Sequence, residues 1–467
     1  MSRKPPIFLI LLMLFSLMLA ACGNGAEPTA PGDEPAPTTD EVAEVEGDVD
    51  EEELVEVAAP PPPVPNAEAA SQYSGTQITY YGDSVGLGAQ IDDMLAQQFT
   101  EDTGIQVNII RKPQDATENY ATYQRFFQAQ SGDIDVMMLD VIWPAAFAPH
   151  LVDLTPELGE AAQAHFETIV ENNTVDGRLI AMPWFGDFGM LYYRTDLLEK
   201  YGFAGPPATW QELTEMAQTI QDGERDEGNA QFAGFVWQGA AYEGLTCNAL
   251  EWVASNGGGR FIDGQEVTIT NPEVIATLEL AQSWVGTISP QGVTGYREED
   301  ARQAFQGGNA AFMRNWPYAY AAGRQDDSPI RDVFDVAPLP SAEGQESVGT
   351  VGGWQLGVSA YSQNQEAAIE FVRYMTSPEV QTWRASVGSY VPTIVDISDD
   401  PAVLEAMPFL EQFQDVVRVT RPSTETGANY NEASTAVFQS VNRILLGGNV
   451  EQTLNQARQR MEGLLIQ

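Results

Sequence analysis

Two carboxylates in this chain stand beside aromatic rings, each in an apolar stretch. Asp140 closes the run 133–140 (DIDVMMLD), and Trp143 follows three residues later. Asp187 lies within 181–188 (AMPWFGDF), with Trp184 and Phe185 before it and Phe188 after it. An aromatic face takes up apolar C–H surface, and a fixed carboxylate accepts hydrogen bonds from hydroxyls. Such pairs suit the wall of a wet cleft. The plainer alternative is a buried strand whose acid caps a turn. The same pair also has the residue types that acid–base cleavage of a glycosidic bond requires.

The elements that must position these residues read as α/β. Strands are expected at 77–81, 106–110 and 133–140, with helices at 91–101 and 120–131 between them, a βαβ opening. MLYY (190–193) reads as a buried strand, and Thr195 as the N-cap of a helix whose apolar face carries Leu197, Leu198 and Tyr201. Further helices are expected at 210–220, 272–285, 297–306 and 365–375, the last stopped by Ser377-Pro378, and one ends at Gly447-Gly448. Strands are expected at 310–314 and 348–359. The glycines of 82–88 do not have the spacing of a dinucleotide fingerprint or a phosphate loop. Cys247 begins an apolar helix face and reads as an inert buried thiol.

Composition narrows the chemistry. The chain has 467 residues, enough for two domains, with 22 Lys+Arg against 67 Asp+Glu and a formal net charge of −45. So acidic a chain repels nucleic acid and anionic lipid. Its two histidines, His150 and His165, make a His-rich metal site impossible, and no metal or cofactor is expected. Residues 1–22 carry a basic start (Arg3, Lys4), an apolar run too short to span a bilayer, and LAAC ending at Cys22. LAAC resembles the bacterial lipobox, which implies export and lipidation of Cys22. Residues 23–75 are rich in proline and acid and contain no Lys or Arg. They read as a disordered, self-repelling tether.

The stretches GDIDVMMLDVIWPAAFAPHLVDLTP, GRLIAMPWFGDFGMLYYRTDLLEKYGF and PPATWQEL come in order. They are followed by YEGLTCN (242–248), SNGG (255–258), MRNWPY (313–318), PLP (338–340), GGWQLGVS (352–359) and Arg421-Pro422. Together they resemble family 1 of the extracellular solute-binding proteins of bacterial ABC sugar importers, and within it the trehalose/maltose-binding branch. The resemblance implies an α/β fold of two lobes with a ligand cleft between them. The lobes would comprise 76–184 plus 333–380, and 185–332 plus 381–467. It implies a carbohydrate ligand captured by hinge closure, an ABC permease as partner, a monomer, and a place on the outer face of the cell membrane.

It further implies Asp140 and Asp187 as hydroxyl acceptors, Arg421 as donor, Trp316 and Trp354 as stacking platforms, and Gly353 as a point of close backbone approach. Tyr242, Glu243 and Phe185 would add to the wall, with Trp143 and Trp184 partly structural. The family commonly places an acid in the loop after the first strand. Here that loop is DSVGLGAQ, where Asp83 or Ser84 can substitute; Ser84 is carried as the candidate. Rival readings are a lipid-anchored binder of a non-sugar solute and a glycosidase using Asp140 and Asp187.

Overall fold

A computed structural model describes residues 59–465. The signal segment, Cys22 and the tether up to residue 58 lie outside the described residues. The main strands are β1 (Gln77–Gly82), β2 (Gln106–Arg111), β3 (Val136–Asp140), β4 (Met182–Phe188), β5 (Met190–Arg194), β6 (Ala233–Val236), β7 (Ala310–Asn315), β8 (Phe334–Ala337), β9 (Val348–Val358) and β10 (Val417–Val419). They form two sheets, one per lobe. The first runs β10-β9-β3-β1-β2, with β4 also paired to β9; the second runs β8-β5-β7-β6. β1 is parallel to β2 and β3, while β9 runs antiparallel to both β3 and β4.

Local sequence explains the main elements. β3 is buried along its whole length, as a central strand with an uninterrupted apolar run should be. The helix Ala116–Ala129 starts four residues before its expected position because Asp115 caps it, accepting from the N–H groups of Thr117 (2.8 Å) and Glu118 (3.2 Å). A capping box between Thr209 and Glu212 opens the helix Trp210–Asp226, a cap of about 1 kcal/mol. Thr195 is the first residue of its helix, and Arg194 takes the cap position without a side-chain bond.

The lobe boundaries differ from the expected ones. The chain leaves the first sheet at Gly189, where an added Cβ would lie 1.9 Å from Glu251 Oε1. Residues 185–188, expected in the second lobe, therefore remain in β4. β8, expected in the first lobe, pairs with β5 in the second. Residues 381–394, expected in the second lobe, pack on the first: Gln381 Nε2 donates to Pro183 O, and Val391 and Ile394 bridge to Gly186 and His165. Sequence pattern marks where elements end but not which sheet a short strand joins.

The tether also ends earlier than expected. Residues 59–75 are ordered against the first lobe. Ala59 O accepts from Trp383 Nε1 (3.1 Å), Pro62 O accepts from the Tyr374 hydroxyl (2.8 Å), and Val64 N–H donates to Asp102 Oδ2 (2.8 Å). Prolines lack N–H donors, yet their carbonyls still accept. Side chains of the helices Gln365–Met375 and Pro378–Gly388 supply the donors.

Candidate functional site

Strand register assembles the first wall of the cleft. On β9, Trp354 lies opposite Asp140 of β3 and Phe185 of β4, and Gly352 lies opposite Asp187. Residues 165 to 214 apart in sequence thus become neighbours on one face. A β-bulge separates Trp354 from Gln355, and Gly353 takes φ +126°. An added Cβ there would sit 2.5 Å from Phe185 O, so only glycine fits.

The second wall comes from the other lobe. Glu243 opens the helix Glu243–Ser255, where the helix dipole favours an acid. Trp316 follows β7; its Nε1 reaches Glu298 at 3.4 Å, and the Arg314 guanidinium lies 3.9 Å from its ring. Arg314 in turn holds Glu251 through two bonds, Nε at 2.8 Å and Nη2 at 2.5 Å, with both side chains fully buried. The platform is therefore backed by a fixed ion pair.

Arg421 joins the two walls. Its Nη2 bonds Asp140 Oδ1 at 2.7 Å, and its Nη1 bonds Asp140 Oδ2 at 3.2 Å and Glu243 Oε1 at 3.1 Å. Glu243 also accepts from Tyr430 (2.5 Å) and Ser434 (2.6 Å). Burial pushes the Glu243 carboxyl up, opposed chiefly by Arg421. The Asp187 carboxyl is pushed well up by burial and then by the charge of Asp83, and no side chain donates a hydrogen bond to it among the described residues. Asp187 is half-buried, and its carboxyl faces the cleft.

The lobes also meet at the mouth. Arg297 pairs with Asp115 at 3.0 Å, Glu243 N–H donates to Thr117 Oγ1 at 3.2 Å, and Gly86 packs on the Tyr318 ring. The enclosed space is about 80 Å³, room for roughly five to eight water centres. Five carboxyl groups line it (Asp83, Asp140, Asp187, Glu243, Glu298) against two cations, Lys112 and Arg421. Both cations are already paired with carboxylates, Lys112 with Asp83 at 3.3 Å.

A family model for bacterial extracellular solute-binding proteins matches residues 81–382. A probable ABC transporter-binding protein of Deinococcus radiodurans is 47% identical over 381 residues, 81% of this chain and 90% of the relative. The chain belongs to the bacterial extracellular solute-binding proteins. The structure of maltose-bound MalE3 of T. maritima matches with a TM-score of 0.79 at 39% identity, covering 84% of this chain and 100% of that one. The GacH receptor of Streptomyces glaucescens shares the fold, with a TM-score of 0.73 at 22% identity over 84% of this chain and 98% of the receptor. This solute-binding protein is thus the substrate-binding component of an ABC transporter, an extracellular or periplasmic protein and not an enzyme.

Asp140, Asp187, Tyr242, Glu243, Trp316, Gly353, Trp354, Phe185 and Arg421 all line the cleft. Ser84 does not. Asp83 lines it instead, and its Oδ1 accepts from the Ser84 N–H at 2.8 Å. Trp143 is buried behind the wall, edge-on to Trp354 at 5.7 Å, and Trp184 lies under Arg384. Cys247 is buried, and burial pushes its thiol up, as an inert thiol requires. Sequence reasoning missed Lys112, whose Nζ lies 4.3 Å over the Trp354 ring. It also missed Glu298 and Tyr390. Lys112 follows β2 directly, and a cation just past a strand end beside Pro113 was the available signal.

Proposed function

We propose that this solute-binding protein captures a neutral mono- or disaccharide of the maltose type between its lobes and delivers it to an ABC permease. It does so as a monomer, held at the outer face of the membrane by lipid on Cys22. The observation that carries the ligand class is the pairing of a half-buried tryptophan platform, Trp316, with the cleft-facing carboxyl of Asp187, to which no described side chain donates. Trp316 stacks on the apolar face of a sugar ring while Asp187 and Glu298 accept its hydroxyls. Arg421 is fixed by Asp140 and Glu243, and its buried Nε–H has no partner among the described residues. Trp354 shares its ring with Lys112, so it is the secondary platform. The maltose held by MalE3, 39% identical, supports the same class.

The carboxyl excess argues against anionic solutes. A phosphate or carboxylate in this cleft faces five acids with both cations committed. A thermal-shift panel tests this, because a ligand that binds only the folded state raises the melting midpoint. Maltose, trehalose, sucrose and glucose are the candidates, with glycerol 3-phosphate and an amino acid as controls. A shift with one saccharide and none with the anions is expected. A shift with glycerol 3-phosphate alone would overturn the ligand class. Mass spectrometry of the N-terminal peptide from membranes tests the anchor, with diacylated Cys22 expected.

A further inference from the structure

Behind the cleft loop, in the first lobe, lies a cluster of buried polar groups that do not themselves line the cleft. Asp92, on the helix Gly88–Thr103, is fully buried. Its Oδ2 accepts from the backbone N–H of Asp83 at 2.7 Å, and its Oδ1 has no partner among the described residues. Asp83 then shapes the loop. Its Oδ1 accepts from the N–H groups of Ser84 (2.8 Å) and Val85 (3.3 Å), and its Oδ2 lies 3.5 Å from the Tyr390 hydroxyl.

The packing leaves this loop little slack. A Cβ on Gly82 would lie 2.7 Å from Asp92 Oδ2, and one on Gly88 would lie 2.2 Å from Asp83 Oδ2. Arg384 enters the same region from the helix Pro378–Gly388 and is 1% exposed. None of its three nitrogens has a hydrogen-bond partner among the described residues. The rings of Trp184, Tyr390 and Phe185 surround it instead, at 3.6, 4.1 and 4.8 Å. Asp83, Phe185 and Tyr390 are cleft-lining residues, so both members of the cluster act on the cleft through one neighbour.

We propose that Asp92 and Arg384 are positioning residues for the Asp83 side of the cleft, and that ligand capture there releases a proton from Asp92. The inference rests on the saccharide-capture reading above. The charged and titratable groups facing Asp92 are Asp83, Arg384, Arg111, Tyr80 and Tyr390. Burial, then the charge of Asp83, pushes its carboxyl up to about 7, while Arg384, the Asp83 N–H and Arg111 hold it down. The Asp83 N–H already meets Asp92 Oδ2 at 2.7 Å, and a ligand seated against Asp83 holds the loop in that arrangement. A hydrogen bond to an ionised acceptor is stronger than one to a neutral acceptor, so the bound state favours ionised Asp92. Affinity therefore rises as pH rises through about 7.

The unliganded protein provides a second, independent readout. A carboxyl raised in the folded state favours folding fully below its unfolded value. That contribution is lost as pH rises through the folded value. Wild type should therefore lose stability relative to Asp92→Asn between about pH 4 and about pH 7.

The test is calorimetric titration of the full chain with maltose between about pH 5.5 and 8.5, with melting curves at the same pH values. Wild-type affinity is expected to rise about tenfold across the range. Asp92→Asn is expected to be flat, and Arg384→Met to shift the midpoint to higher pH. A flat wild type, or an Asp92→Asn variant that keeps the wild-type slope, overturns the inference. Absence of maltose binding at every pH counts against the saccharide reading instead. The melting curves then decide the inference alone: parallel curves for wild type and Asp92→Asn overturn it.

Discussion

Arg314 and Arg384 are both fully buried against a tryptophan, one in each lobe, and they are held in opposite ways. Arg314 lies over Trp316 and forms a two-point ion pair with Glu251, whose Oε1 also accepts from Thr350 N–H at 3.1 Å. Arg384 lies over Trp184 with no hydrogen-bond partner among the described residues. Burial lowers the affinity of Arg384 for its proton, whereas Glu251 more than compensates the same burial at Arg314. The first arrangement fixes a cleft platform at the point where the chain changes lobes. The second cushions a loop with aromatic faces and commits no hydrogen bond. A fixed ion pair therefore backs one wall, and an arginine held only by aromatic faces backs the other.

The largest expected effect breaks the ion-paired side. Arg314→Met leaves Glu251 buried without a counter-charge and should destabilise the protein by about 3–5 kcal/mol in denaturant unfolding. The double variant Arg314→Met/Glu251→Met should recover most of that loss. Trp316→Ala removes the platform itself. It should weaken saccharide binding about a hundredfold, roughly 2.7 kcal/mol, with little change in the melting midpoint because the ring is only half-buried. Gly189→Ala forces a Cβ against Glu251 and should destabilise by about 1–3 kcal/mol. Arg384→Met should change stability by less than about 1 kcal/mol at neutral pH, since no ion pair is broken. An Arg384→Met loss as large as that of Arg314→Met would erase the contrast between the two sides. Smallest is Asp115→Asn at the cleft mouth. Its partner Arg297 is 41% exposed, so the effect on stability should be within about 1 kcal/mol.

The residues of the cleft were more legible in the sequence than its architecture. Asp140 and Asp187 stood out because a carboxylate among aromatic and apolar residues is chemically conspicuous. Trp316, Trp354 and Arg421 were reached only through the family resemblance, since nothing in their own neighbourhoods marks a cleft. Strand pairing then explains why they meet: β9 sets Trp354 between Asp140 and Phe185. Ser84 was preferred over its neighbour Asp83 because the sequence cannot say which side chain turns inward; the loop is held through the backbone of Asp83.

Lys112 and Tyr390 were invisible for a related reason. Each is ordinary in its own segment and joins the cleft through distant partners, Asp83 for both, Trp354 for Lys112 and Phe185 for Tyr390. The proline-rich reading of 23–75 ran too far because composition predicts the absence of a core. It does not predict docking of an irregular segment onto donors from Trp383 and Tyr374.

The central claim is that a saccharide ring stacks on Trp316 between the two lobes. Calorimetric titration of wild type and Trp316→Ala with maltose tests it most directly. Saturable one-to-one binding by wild type, weakened about a hundredfold in the variant, is the predicted result. Equal affinity in the two proteins would contradict it, because the sugar would then lie somewhere other than on this platform.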